Sequence, residues 1–331
     1  MRRFRRTLVA AVLATTVVAG TAGWASGTAQ TPVTGPPPGT AEWRADRSLG
    51  RELPDPASAS PGDVAAFFAS LTATQQRALV ARHPLVAGNL DGVPVALRYE
   101  ANARTLRSDA DGRQILAYDP RGRGQLVEVY GDLDRARRVA VIVPGSDIDA
   151  RTFDRTSAMA RSLYEATDGA TAVIAWAGYT TPVGLGLDAA TGGLAEAGAE
   201  RLVRFTDGLT ATGAAKAALF CHSYGSVVCG LAAHEADASD IVAFGSPGMR
   251  ADDVADLRTN ARVWAAKAPA DWISKVPNVE FAGLGHGNDP AAPEFGARRV
   301  PAADAEGHTG YLAPGTSTLR AFAAIARGEA R

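Results

Sequence analysis

From residue 115 onward, short apolar runs alternate with longer stretches of helical character. The runs at 115–118, 126–130, 139–143, 172–176, 217–220, 241–244 and 261–266 read as strands. The first two lie close together with the turn residues Asp119-Pro-Arg-Gly122 between them, which predicts a hairpin. Helical segments are expected at 190–209, at 226–234 and, after a short last strand near 297–301, at 317–326. Strands alternating with helices predict an α/β fold with a mostly parallel sheet covered on both faces. No internal repeat interrupts this pattern.

Ahead of the sheet the period is helical. Ser60-Pro-Gly-Asp63 has the form of a helix start, with proline at the first helical position and an acid at the third. Val64, Phe67, Phe68 and Leu71 supply its apolar face. Thr72 and Gln75 mark a second start, and Leu79 and Val80 belong to that helix, which ends before His83-Pro84. Gly88-Asn-Leu-Asp-Gly-Val-Pro94 reads as a loop, followed by a helix at 97–106. Residues 60–110 thus form a helical extension and 111–331 the sheet domain. Residues 30–59, rich in Pro, Gly, Thr and Ser, read as a linker with little structure.

The first 29 residues have a different character. Arg2, Arg3, Arg5 and Arg6 precede an apolar run from about Leu8 to Gly20, and small residues lead to Ala25 and Ala29. This is the layout of a secretory signal peptide, and the run is shorter than the ~20 residues of a membrane span. The arginine pairs also fit twin-arginine export. No cysteine lies near the cleavage zone, so the expected product is a secreted protein without a stable membrane anchor. Loss of the four arginines takes the formal charge from −1 to −5, which removes any electrostatic case for nucleic acid.

The candidate chemistry centres on Cys221-His-Ser-Tyr-Gly225, between a predicted strand and a predicted helix. In a G-x-S-x-G nucleophile elbow, a strained turn lifts the serine oxygen above the sheet, and small residues on either side let strand and helix approach. Here Gly225 supplies the second small residue and Cys221 stands in for the first, which makes Ser223 the candidate nucleophile. The alternative is an ordinary strand-turn-helix with a polar turn. The two cysteines of the chain, Cys221 and Cys229, straddle this serine. In an oxidising compartment they form a disulfide if their Cα atoms come within ~6 Å. Otherwise they are two buried thiols.

Serine needs a base, and a base needs an orienting carboxylate. Where the chain order is Ser, acid, His, the base follows the serine. His234 sits too far along the helix after the elbow. His308, in Ala305-Glu-Gly-His-Thr-Gly-Tyr311, lies between the last strand and the C-terminal helix and is the first choice; His286, in another glycine-flanked loop, is the alternative. Asp271, five residues past the strand ending at Ala266, is the candidate acid, with Asp289 next and Asp252 and Asp253 behind it. Each of these could instead be a loop or cap residue. The backbone amides of Tyr224 and of Gly145 or Ser146, in the loop Val143-Pro-Gly-Ser-Asp147, are candidates for an oxyanion hole. Asp147, Asp149 and Asp154 match no metal-binding loop, and 176–186 lacks the lysine of a phosphate-binding loop. No cofactor or metal is expected. The Gly-rich 176–186 stretch suits a pocket wall or flap.

With these motifs the chain resembles a family of exported actinobacterial α/β-hydrolases, catalogued mainly as a domain of unknown function. The resemblance rests on Gly88-Asn-Leu-Asp-Gly-Val-Pro94, Val143-Pro-Gly-Ser-Asp147, Trp176-Ala-Gly-Tyr179, His222-Ser-Tyr-Gly-Ser-Val-Val228, Gly245-Ser-Pro-Gly248, Gly285-His-Gly287 and His308-Thr-Gly-Tyr311. It spans about residues 60–325 and implies an α/β-hydrolase fold with a Ser-His-Asp mechanism. That family usually has glycine at position 221 and an aliphatic residue at 229, a paired departure that favours a bridge here. The expectation is a secreted serine hydrolase acting on a small-molecule or lipid carboxylic ester. A peptidase, amidase or acyltransferase could use the same residues, and a non-catalytic binding module could use the same scaffold.

Overall fold

A computed structural model describes residues 29–107, 112–276, 278–281 and 283–330. The expected signal peptide falls almost wholly outside them.

Five helices precede the sheet: α1 (Thr40–Ala45), α2 (Pro61–Ala69), α3 (Ala73–Arg82), α4 (Pro84–Asn89) and α5 (Val95–Leu106). Ser60 caps α2 by accepting the Asp63 N–H at 3.1 Å, and Thr72 and Gln75 close a reciprocal capping box on α3. These helices enclose their own small core of Trp43, Val64, Phe68, Leu79, Val80 and Leu97, among others. The expected loop at 88–94 begins two residues late, because α4 runs through Asn89. That side chain clasps the backbone of Tyr118, donating to its carbonyl at 2.6 Å and accepting its N–H at 3.1 Å. Asp91 is buried and ion-paired with Arg98 at 3.1 Å and with Arg201, which joins the extension to the sheet domain.

The stretch at 30–59 is not the unstructured linker its composition suggests. It forms α1, buries Trp43 completely, and joins its indole N–H to the Pro54 carbonyl at 2.7 Å. Its start is pinned to the sheet domain, where Val33 N–H donates to Thr180 Oγ1 at 2.9 Å and Arg121 donates to the Thr34 carbonyl at 3.0 Å. Proline and glycine remove periodicity, but the backbone groups find partners far away in sequence.

The sheet contains β1 (Gln114–Asp119), β2 (Gln125–Tyr130), β3 (Val139–Val143), β4 (Ala172–Ala177), β5 (Ala217–His222), β6 (Asp240–Phe244), β7 (Arg262–Ala266) and, after a small hairpin of β8 (Glu280–Phe281) and β9 (Leu284–Gly285), the short β10 (Arg298–Arg299). The order is β1-β2-β4-β3-β5-β6-β7-β10. β2 is antiparallel to both neighbours, and β4, β3, β5, β6, β7 and β10 run parallel. For the eight strands of this sheet the pattern read from the sequence is the observed one, to within two residues at each end; the β8–β9 hairpin is absent from it.

Residue alternation sorts the core into two layers. Val139, Val141, Val143, Leu219 and Cys221 face α8 (Gly193–Ala211) and α9 (Gly225–Ala232). Ala140, Ile142, Ala218 and Phe220 face α6 (Asp154–Ala166) and α10 (Ser317–Ala326). A short α7 (Leu187–Ala190) lies between β4 and α8. Because β3 to β7 are parallel, the loops after β3, β4, β5 and β7 all emerge at one carboxyl edge, where open α/β sheets place their ligands.

Candidate active site

At that edge β5 turns sharply into α9. Ser223 occupies the apex with φ 53°, a left-handed conformation that is costly for a non-glycine residue. It is held there by its N–H, which donates to the Phe244 carbonyl on β6 at 3.0 Å, and by its carbonyl, which accepts the Ser226 N–H at 2.9 Å. A disulfide joins Cys221 at the end of β5 to Cys229 in α9 across 6.4 Å between Cα atoms. The pair that straddles the serine thus ties the two arms of the turn together.

Asp271 follows β7 and caps a one-turn helix, its Oδ1 accepting the Ile273 N–H at 2.9 Å. Its carboxylate is buried. His308 Nδ1 lies 2.9 Å from Oδ1 and 3.0 Å from Oδ2, and the Tyr311 hydroxyl donates to Oδ2 at 2.7 Å while accepting the Ala268 N–H at 2.9 Å. Burial pushes the Asp271 pKa up, but the hydrogen bonds from His308, Ile273 and Tyr311 outweigh it and hold the group below the usual carboxylate range. A carboxylate accepts, so Nδ1 of His308 carries its hydrogen and Nε2 is left with its lone pair. Among the described residues Ser223 Oγ makes no hydrogen bond; unliganded sites commonly close that contact only around substrate.

His222, beside the serine, was not singled out by sequence reasoning. Its ring lies 4.7 Å from that of His308, and its Nε2–H donates to the His308 carbonyl at 2.7 Å, which anchors the loop bearing that residue. The signal was weak: a histidine ending an apolar strand gives no hint of an acceptor 86 residues away. Tyr311 and Trp272 belong to the same group. Trp272 packs its ring 4.7 Å from His308.

Burial, followed by the nearby His308, lowers the His222 pKa from the ordinary 6.5 to about 4. Between those values the unfolded chain binds the extra proton. Stability is therefore full above pH 6.5 and falls as pH drops toward 4, by about 3 kcal/mol from this residue. Urea unfolding midpoints of wild type and His222→Asn, measured between pH 7 and 4, check this: the variant should lose much of the slope. An unchanged slope would assign it to other groups.

The loop after β3 faces the elbow. Among the described residues the amides of Gly145, Ser146 and Tyr224 donate to no protein acceptor. A Cβ on Gly145 would lie 2.6 Å from Ser223 Cβ and 3.1 Å from the Tyr224 nitrogen, so loop and elbow are in direct contact. The loop is fixed by Tyr179, whose hydroxyl donates to the Pro144 carbonyl at 2.7 Å, and by Asp147 N–H, which donates to the Pro182 carbonyl at 2.8 Å.

The alternative pair has other partners. His286 is buried, its Nε2–H donates to the Ala189 carbonyl at 2.7 Å, and its ring meets that of Tyr224 edge-on. Asp289 forms an ion pair with Lys267 at 2.6 Å. Neither is hydrogen-bonded to Ser223 or His308 among the described residues. Asp252 and Asp253 sit in a separate turn, where Asp253 accepts the Ala255 and Asp256 amides. His234 is exposed beside Glu235.

Residues 119–281 match the model of a family described as alpha/beta hydrolase. An uncharacterized protein of Mycobacterium tuberculosis is 28% identical over 374 aligned residues, covering 84% of this chain and 57% of its own. An uncharacterized protein of Mycobacterium bovis is 36% identical over 157 residues, covering 43% of this chain and 58% of its own. The chain thus spans little more than half the length of the curated relatives it matches. Among solved structures, a CIB-like hydrolase from Thermoplasma acidophilum is 16% identical with a TM-score of 0.42, covering 65% of this chain and 97% of that one. Esterase PE8, also 16% identical with a TM-score of 0.42, covers 60% and 96%.

Proposed function

We propose that this chain, whose residues 119–281 match an alpha/beta hydrolase family model, is a serine hydrolase that cleaves carboxylic esters. The observation that carries this reading is a buried carboxylate–histidine pair, Asp271–His308, at 2.9 Å, on the same sheet edge as a serine held at φ 53°. Five other non-glycine residues among those described share such a φ, so the strain supports this reading only because it falls at the apex of a strand-to-helix turn on the same edge as that pair.

In the proposed mechanism Ser223 Oγ attacks the ester carbonyl carbon while its proton passes to Nε2 of His308. Asp271 keeps the ring in the required tautomer and stabilises the imidazolium. The carbonyl oxygen, now an anion, is held by the N–H groups of Tyr224 and of Gly145 or Ser146. The tetrahedral adduct collapses, the C–O bond breaks, and the alcohol leaves with the proton from His308. Water then gives a proton to His308 and attacks the acyl-enzyme, and the carboxylic acid departs as Ser223 regains its hydrogen. No metal or cofactor has a part in these steps. The N-terminal pattern and the Cys221–Cys229 bridge support a site of action outside the cytoplasm. No helix of the described residues is long and apolar enough to cross a membrane.

A fluorophosphonate probe tests the nucleophile directly. Mass spectrometry of the labelled protein should find the adduct on Ser223, with loss of labelling in Ser223→Ala and in His308→Ala. Labelling that survives removal of His308 would move the base elsewhere, and a folded protein that never labels would be a hydrolase-shaped binding module.

A further inference from the structure

Six large apolar side chains are exposed among the described residues: Val183, Leu185, Leu187, Trp272, Val279 and Leu284. A random scatter of such residues needs no explanation, but a cluster does. All six lie on two segments that leave the carboxyl edge of the sheet, one after β4 and one after β7. In the first, Val183-Gly-Leu-Gly-Leu187 places an apolar side chain at every second position, 54%, 69% and 59% exposed in turn. Its backbone is well held, since Val183 N–H donates to Gln30 Oε1 at 2.8 Å and Gly184 N–H to Asp147 Oδ1 at 2.7 Å. The frame is therefore fixed while its side chains face water.

The two segments meet where His286 Nε2–H donates to the Ala189 carbonyl at 2.7 Å. The patch reaches the reacting centre through Trp272, whose ring packs at a tilt 4.7 Å from that of His308. Residues 178–192 carry one charged side chain, Asp188, which accepts the Gln30 N–H at 2.9 Å. Arg123, which donates to the Thr181 carbonyl at 2.8 Å, and Arg250, packed against Gly192, flank the stretch, but they are ion-paired with Asp149 at 3.4 Å and Glu280 at 3.2 Å; the stripe between them carries no charge, and its complement is an uncharged hydrocarbon.

We propose that this rim is the acyl-binding surface of the site, and that the substrate class is esters of long apolar acyl chains. The inference rests on the ester-hydrolase reading above. It is tested with p-nitrophenyl esters from acetate to dodecanoate, each kept below its critical micelle concentration, on the whole protein. Wild-type kcat/KM should rise along the series by about twofold per methylene, as expected for half-burial of each CH2 on the stripe. The Leu185→Asp/Leu187→Asp variant should lose about tenfold or more on the decanoate and stay within about twofold of wild type on the acetate. A flat or falling series in an enzyme that turns over the acetate would overturn the proposal and leave the hydrolase reading standing, as would a double variant that keeps the rise. If that variant instead converts a dimer to a monomer in sedimentation with the rise unchanged, the stripe is a contact with a second copy, and the proposal falls. Failure to turn over any ester, the acetate included, removes the hydrolase reading itself.

Discussion

Ser223→Ala should lower kcat/KM for ester hydrolysis by about a millionfold, and His308→Ala by a similar factor. The two residues act as one device: without the base the hydroxyl is not activated, and without the hydroxyl the base has nothing to activate. The double variant should therefore be about as inactive as either single one, far from the product of the two losses. Asp271→Asn should cost about ten-thousandfold. Its amide would donate where the carboxylate accepts, turning the His308 ring to the tautomer that leaves no lone pair for Ser223. Asp271 also accepts from Ile273 and Tyr311, so this variant loses stability as well; thermal unfolding run beside the kinetics separates the two effects. A Ser223→Ala protein that keeps a measurable fraction of the rate, or losses that multiply in the double variant, would show that the serine is not the nucleophile.

The strands were legible because their apolar runs are short, bounded by turn residues and buried on both faces. Val139–Val143 is buried at every position, and the run was read to its exact ends. Ser317–Ala326 was equally plain, since Thr316 caps it by accepting the Leu319 N–H. His308 was picked by chain order and Asp271 by its place just past a predicted strand; the two are hydrogen-bonded at 2.9 Å because sheet topology, not local sequence, decides which loops share an edge. What stayed hidden depends on partners remote in the chain. Trp43 looked like part of a Pro/Gly linker, yet it is the centre of a small core assembled from α1 to α5. Tyr311, which donates to Asp271 across 40 residues, and His222, which holds the His308 loop, could be found only once the fold had brought their acceptors near. Cys221 is a different case. It departs from the usual glycine, but the structure makes the departure intelligible, since its sulfur is joined to Cys229 on the helix that the missing glycine would otherwise have packed against.

Two glycines, Gly225 in the elbow and Gly145 in the loop that faces it, tie the chemistry of the site to its packing. A Cβ on Gly225 would lie 2.4 Å from the Val143 carbonyl oxygen and 2.6 Å from that of Pro144. Both atoms are backbone, and the Cys221–Cys229 bridge keeps α9 from sliding away from β5, so the clash has no easy relief. Gly225→Ala should cost about 1–3 kcal/mol of stability. It should also lower kcat by about a hundredfold to a thousandfold, as the Tyr224 amide leaves the position where it would meet an oxyanion. Gly145→Ala should give a comparable kinetic loss by another route. Its methyl would sit 2.6 Å from Ser223 Cβ, 3.0 Å from Oγ and 3.1 Å from the Tyr224 nitrogen, within the space the substrate carbonyl needs. Gly145 lies outside the left-handed region, so alanine meets no dihedral strain there, but its 2.6 Å contact with Ser223 Cβ forces loop and elbow apart, and the stability cost should be about 1–3 kcal/mol, as for Gly225→Ala. Urea unfolding beside steady-state kinetics for the two variants decides the matter. A Gly145→Ala protein with near-normal kcat would mean that the oxyanion is held somewhere other than between these two loops.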